Sequence, residues 1–183
     1  MKSLTKAVLF SLAAVSFLFA ETPVYDPWSS FGLGIGFMKP TSNSWEAESD
    51  MIFQAHFLAN FQILSMTSVV ADVGYAAPGN GFDAHVGFQQ QIIPLSITPF
   101  IGGLAGINCV TEDNRDLSFG KRIGPSLEAN GGVLFFRESF FQIRAKGGYE
   151  WIFNKHKDQG WKVEIGVLFA NSRPGLKAID VSR

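Results

Sequence analysis

Residues 161–169 read Trp-Lys-Val-Glu-Ile-Gly-Val-Leu-Phe, and their alternation restricts the chain more than any other feature. Trp161, Val163, Ile165, Val167 and Phe169 share one parity, while Lys162, Glu164 and Gly166 share the other, with Leu168 as the one exception. A period of two places each set on its own side of a β-strand. The apolar side begins and ends on an aromatic ring, and the other side mixes opposite charges with glycine. Such a strand suits lipid on one face and a cramped polar lumen on the other.

The pattern recurs along the chain. In 31–38, Phe31, Leu33, Ile35 and Phe37 alternate with Gly32, Gly34, Gly36 and Met38. Residues 51–60, 67–75 and 82–92 repeat it, the last setting Phe82, Ala84, Val86 and Phe88 against Asp83, His85, Gly87 and Gln89. Segment 97–110 is ambiguous in face, because Phe100 and Leu104 oppose Ile101 and Ile107 around several glycines; its composition still favours a strand. Residues 121–134 and 140–151 complete a set of eight, the latter placing Phe141, Ile143, Tyr149 and Trp151 opposite Gln142, Arg144, Lys146 and Glu150. Short turns at 61–65, 93–96 and 135–139 alternate with the polar stretches 39–50, 111–120 and 154–160 and the Pro-Gly-Asn-Gly turn at 78–81. That asymmetry predicts an all-β, eight-stranded antiparallel up-and-down barrel with two unlike ends, both termini on the short-turn side.

Composition agrees with a membrane solvent. Charged residues are 17% of the chain, below the ~25% of a typical soluble domain, while aromatics reach 14%, with 18 Phe and 4 Trp. No run after the first 20 residues is long and apolar enough for a membrane helix. Those first 20, with Lys2 and Lys6 ahead of the uncharged run 7–20, read as a secretory signal peptide cut after Ala20. The expected division is a signal peptide at 1–20, a barrel at 21–169 and a short tail at 170–183. Export removes two of 15 basic residues and none of the 16 acids, taking the net charge from −1 to −3, so no basic field invites nucleic acid. Cys109 is the only cysteine, which excludes an intramolecular disulfide.

The polar parity distinguishes a membrane barrel from a soluble one that carries an apolar ligand, the competing class. It carries Gly32, Gly34, Gly36, Gly74, Gly87, Gly124, Gly132, Gly148 and Gly166, which a water-exposed face has no need of. A narrow lumen does need them. The same parity carries Asp72, Asp83, Glu128, Glu150 and Glu164 against Arg144, Lys146, Lys162 and His85. Enclosed charges must be paired, so this set predicts a luminal network in which Arg144 and Lys146 face Glu128 and Glu164. Trp28, Tyr75, Phe82, Tyr149, Trp151, Trp161 and Phe169 fall near strand ends, where interfacial girdles form.

These alternating glycine-rich strands, the Thr-Pro-Phe-Ile-Gly-Gly-Leu-Ala-Gly run at 98–106 and a last strand ending in Phe169 resemble the small outer-membrane barrels of the OmpA transmembrane-domain and OmpX-like type. The resemblance covers roughly residues 28–169 and departs at the tail, since such barrels usually end at the terminal aromatic. It implies an outer-membrane monomer among lipid and lipopolysaccharide, inserted by the barrel-assembly machinery.

Chemistry is sparse. His56 and His85 lie on the polar parity and are read as hydrogen-bonding members of the luminal network, and His156 sits between Lys155 and Lys157; no His/Cys/Asp/Glu spacing marks a metal site, and no cofactor is expected. Ser68 and His56 are the available pieces of a lipid A-modifying hydrolase, without a motif joining them. Glu46, Glu48, Asp50, Asp113 and Asp116 are read as solvated loop acids rather than a Ca²⁺ site. Gly102, Gly103 and Gly106 are not a phosphate cradle, since no helix follows. The expectation is a barrel without catalysis, with a structural or surface-interaction role.

Overall fold

A computed structural model describes residues 29–41, 51–77, 81–93, 95–109, 123–155 and 157–171. The signal segment, Trp28, the acidic loop positions, His156 and the tail from 172 lie outside the described residues. Eight strands follow in order: β1 (Ser29–Pro40), β2 (Ile52–Gln62), β3 (Thr67–Ala77), β4 (Gly81–Gln91), β5 (Ile97–Cys109), β6 (Ile123–Phe135), β7 (Phe141–Ile152) and β8 (Gln159–Ala170). Each pairs antiparallel with the next, and β1 pairs antiparallel with β8, so the sheet closes without an edge. Closure satisfies every strand from both sides, the condition for a sheet in hydrocarbon. No described helix is long and apolar enough to cross a membrane.

Register settles which way each parity points. Leu33, Ile35, Val73, Val86, Ile101, Val163 and Ile165 are all more than half exposed on the outside. The alternate residues are buried within, as the strands' out-in burial repeats show. In β5, where the sequence left both faces open, Phe100 and Leu104 turn inward and Ile101 and Ile107 outward. The pairing Gly87↔Leu104 against β4 imposes this, because Gly87 is already luminal.

Luminal glycines let the tilted strands approach. A Cβ at Gly32 would lie 1.8 Å from the Val167 carbonyl oxygen, and one at Gly87 would lie 2.0 Å from that of Gly103. Gly74 instead makes room for a side chain, since its Cβ would meet Asp83 Oδ1 at 2.1 Å and His56 Nδ1 at 2.8 Å.

Apolar residues on the luminal parity form two clusters. Met38, Ile52, Ala76 and Ile152 close the end that carries the long connections. Leu58, Phe100, Leu134 and Leu168 form the second layer, toward the short turns. Leu168, the exception in the final strand's alternation, is therefore a plug residue with no exposed surface. Truncating Leu134 to Ala should cost about 2–5 kcal/mol through lost contacts and a residual cavity; denaturant titration in detergent checks this.

The short-turn end is tied at one residue. Arg137 donates from Nη2 to the Ser65 carbonyl at 3.0 Å and from its backbone N–H to that of Ser96 at 3.2 Å, while its own carbonyl accepts from Gln142 Nε2 at 2.8 Å. One arginine thus joins the 63–66, 92–96 and 136–140 turns. Burial pushes its guanidinium pKa down, and neighbouring Glu138 opposes this. Arg137→Ala removes the guanidinium bond to Ser65 while keeping both backbone bonds, and should speed amide hydrogen exchange at Ile63 and Leu64 in that turn, leaving exchange in mid-β8 unchanged.

Candidate functional site

Between the two apolar layers lies a belt of buried charge. Asp72, Asp83, Glu128, Glu150 and Glu164 face Arg144, Lys146, Lys162, His56 and His85, all of them buried. Every strand from β2 to β8 except β5 contributes a charged or titratable member, and β5 adds Asn108.

Two lysines organise the belt. Lys146 Nζ lies 3.0 Å from Asp72 Oδ2, 3.1 Å from Glu128 Oε1 and 2.9 Å from Glu164 Oε2. Lys162 Nζ lies 2.8 Å from Asp83 Oδ2, 3.2 Å from Glu150 Oε2 and 3.4 Å from Glu128 Oε2. Glu128 therefore joins two three-acid clusters, and its Oε1, which faces Lys146, also accepts from Asn130 Nδ2 at 2.8 Å. Lysine suits these centres because its ammonium is a compact charge with three donors. Arg144 Nη2 reaches Glu164 at 3.2 Å and Asp72 at 3.8 Å.

The histidines extend each cluster. His56 Nδ1 stands 2.7 Å from Asp72 Oδ1. His85 Nε2 stands 2.7 Å from Ser126 Oγ and 3.0 Å from Glu150 Oε1, which also accepts from Asn108 Nδ2 at 2.9 Å. Gln54 Nε2 approaches Asp83 at 3.4 Å.

The nine positions expected in the lumen thus lie in one contiguous network. The expected pairing of Arg144 and Lys146 with Glu128 and Glu164 is present, with Lys146 serving both acids. Lys162 is joined to Glu150 and Asp83; Glu164, its parity neighbour along β8, turns instead to Arg144 and Lys146. His56, expected with His85 to hydrogen-bond within the network, does so through Asp72, whereas Gln54, Asn108 and Ser126 were not assigned to it from sequence. Their shared parity was the available signal, whereas the cross-barrel approach of residues 65 positions apart, as in His85–Glu150, has no local signature.

His56, Asp72 and Glu164 offer ligand atoms within 4.8 Å of one another, a triad that sequence spacing did not reveal. The Lys146 ammonium already bridges Asp72 and Glu164, and Arg144 approaches both. Those cations supply the charge a metal would bring, so the triad belongs to the ion-pair belt. Ser68 and His56 are not brought together. Ser68 pairs with Gln62 and His56 with Gly74 on the β2–β3 ladder, six residues and about 20 Å apart along the strand. Cys109 is buried and free of disulfide bonding.

Outside, aromatic rings gather at both ends. Phe31–Phe61 and Phe141–Phe169 make edge-on contacts at 5.5 and 5.9 Å near the short turns. At the opposite end, Tyr149 packs edge-on against Trp151 and Trp161, both at 4.9 Å, and Tyr75 and Phe82 face outward. Two aromatic levels flanking an aliphatic band match the two interfaces of a bilayer.

No protein-family model matches the chain, and no curated protein matches it in sequence. Solved structures match in fold. Neisserial surface protein A superposes with a TM-score of 0.60 at 14% identity, covering 79% of this chain and 98% of the other. The N-terminal β-barrel domain of Pseudomonas aeruginosa OprF gives 0.53 at 11% identity, over 79% and 96%. Ail, the attachment invasion locus protein of Yersinia pestis, gives 0.51 at 12% identity, over 79% and 99%. With its closed eight-stranded sheet, the chain has the fold of the small outer-membrane β-barrels.

Proposed function

We propose that the protein is exported and resides in the outer membrane as a closed, non-conducting and non-catalytic barrel. Its strands anchor the long connections at the outer surface, where they serve envelope stability or surface interaction. One observation carries this reading: the luminal charges are paired with one another and sealed between two apolar layers. An ion or substrate crossing this lumen would have to break several buried ion pairs at once, each costly to leave half-made. A soluble barrel carrying an apolar ligand would need the reverse arrangement, apolar within and polar without. Lipid and lipopolysaccharide are the expected surroundings, the barrel-assembly machinery the expected insertion route, and the monomer the expected state.

Washed envelopes test the location, and planar bilayers test the closure. The protein should resist carbonate extraction, migrate differently on a gel before and after heating, and give no steady conductance when reconstituted. Release by carbonate would overturn the membrane reading, and a stable open channel would overturn the sealed lumen.

A further inference from the structure

Two outward glycines, Gly103 and Gly147, behave differently from the luminal ones. A Cβ at Gly103 would meet nothing nearer than the Glu128 carbonyl oxygen at 3.8 Å, and one at Gly147 nothing nearer than that of Lys162 at 3.9 Å. Strand packing therefore does not require glycine at either place, although interior strand glycines weaken a sheet. What they leave is relief on the lipid-facing surface. Gly147 and Gly131 pair across β6 and β7 and floor a 410 Å³ depression walled by Tyr149, Trp161 and Val163. Gly103, Ala105 and Ala129 floor a neighbouring 440 Å³ depression walled by Phe88 and Trp151. Ala129 borders both, and the edge-on Tyr149–Trp151 pair stands between their outer ends.

Positive charge crowns the same sector. Lys39, exposed at the outer end of β1, pairs directly with Trp161 on β8. Lys155 and Lys157 are exposed in the β7–β8 turn, between Trp151 and Trp161 in sequence. The turn's acid, Asp158, is buried and accepts from Asn154 Nδ2 at 2.7 Å. Among the described residues, this turn therefore presents cations outward with its acid turned in. Two adjoining apolar depressions beside an aromatic cluster and a cationic rim are complementary to adjacent acyl chains joined to an anionic headgroup.

We propose that this face binds one phosphorylated, multiply acylated lipid of the outer leaflet. Its phosphate meets Lys39, Lys155 and Lys157, and two of its chains lie in the grooves on either side of Tyr149 and Trp151. The proposal rests on the outer-membrane reading and adds a specific lipid site to it.

The probe is lipid A, with its dephosphorylated form as control, each presented to the barrel in phosphatidylcholine discs. Native mass spectrometry then counts the lipid that the barrel retains. Wild type should retain lipid A in preference to phosphatidylcholine. Gly103→Leu with Gly147→Leu should reduce retention of both lipid A forms at least ~tenfold by filling the grooves. Neutralising the rim lysines to Gln should weaken only the phosphorylated form, roughly fivefold per lysine. Folding is confirmed by heat-modifiable migration, and Gly103→Ala with Gly147→Ala, whose Cβ atoms have room, serves if the leucines prevent it. Retention unchanged by the groove substitutions, or no preference in wild type, would overturn the site. A barrel that is dimeric in wild type and monomeric in the filled variant would assign the face to a second copy instead. A wild-type barrel that carbonate releases from envelopes would contradict the outer-membrane reading itself, a distinct result.

Discussion

Replacing Lys162 with Ala is expected to lower the unfolding free energy by about 3–5 kcal/mol, the range for breaking a buried ion pair by removing one partner. The ammonium lies within 3.4 Å of three carboxylates, on β4, β6 and β7. Its loss leaves Asp83 with Gln54 as its remaining close donor and returns Glu150 to His85 and Asn108. Lys162→Met keeps most of the side-chain volume and should cost nearly as much, which separates the charge from the cavity. Combining Lys162→Ala with Asp83→Asn should recover part of the loss, giving a non-additive cycle as expected for groups in contact. Unfolding titrations in detergent, read by heat-modifiable migration, measure all of these. A change below about 1 kcal/mol, the scale of exposed pairs, would place Lys162 in water and contradict an enclosed lumen.

Gly32→Ala is the second large effect. Its methyl group would fall 1.8 Å from the Val167 carbonyl oxygen and 2.8 Å from Leu168 Cα, both backbone atoms of β8. No rotamer change relieves that clash; β1 and β8 would have to separate, and their ladder is the one that closes the barrel. The cost should lie at or above the upper end of the ~1–3 kcal/mol typical of overpacked interiors, with slowed or incomplete closure. Gly147→Ala is the matched control, because its Cβ enters open space on the lipid side; it should fold at the wild-type rate. Equal behaviour of the two variants would mean that strand tilt and register differ from those described.

Much of this architecture was legible because alternation is a local signal. The parity of β8 and β1 could be read residue by residue, and the balanced charge on the inner parity implied mutual pairing. Three things were not local. In β5 each face carries large apolar residues and glycine, and its register against β4 and β6 decides that Phe100 points in and Ile101 out. Leu168 looked like an error in the final strand's alternation, yet it stacks in the lumen with Leu58, Phe100 and Leu134 from three other strands. The partner of His56 was not local either: Asp72 comes near it because β2 and β3 pair with His56 opposite Gly74. Glycines also proved to be of two kinds, and a sequence cannot tell a luminal glycine that lacks room for a methyl from an outward one that has it.

The central claim is that odd-numbered residues of β8 meet lipid while even-numbered ones meet a sealed, charged interior. Site-directed spin labelling in a Cys109→Ser background, reconstituted in lipid bilayers, measures this directly at positions 163, 165 and 167 against 164 and 166. Labels at 163, 165 and 167 should collide freely with oxygen and poorly with a water-soluble nickel reagent, while labels at 164 and 166 should be shielded from both. High nickel accessibility at the odd positions, or the absence of any alternation, would contradict the account.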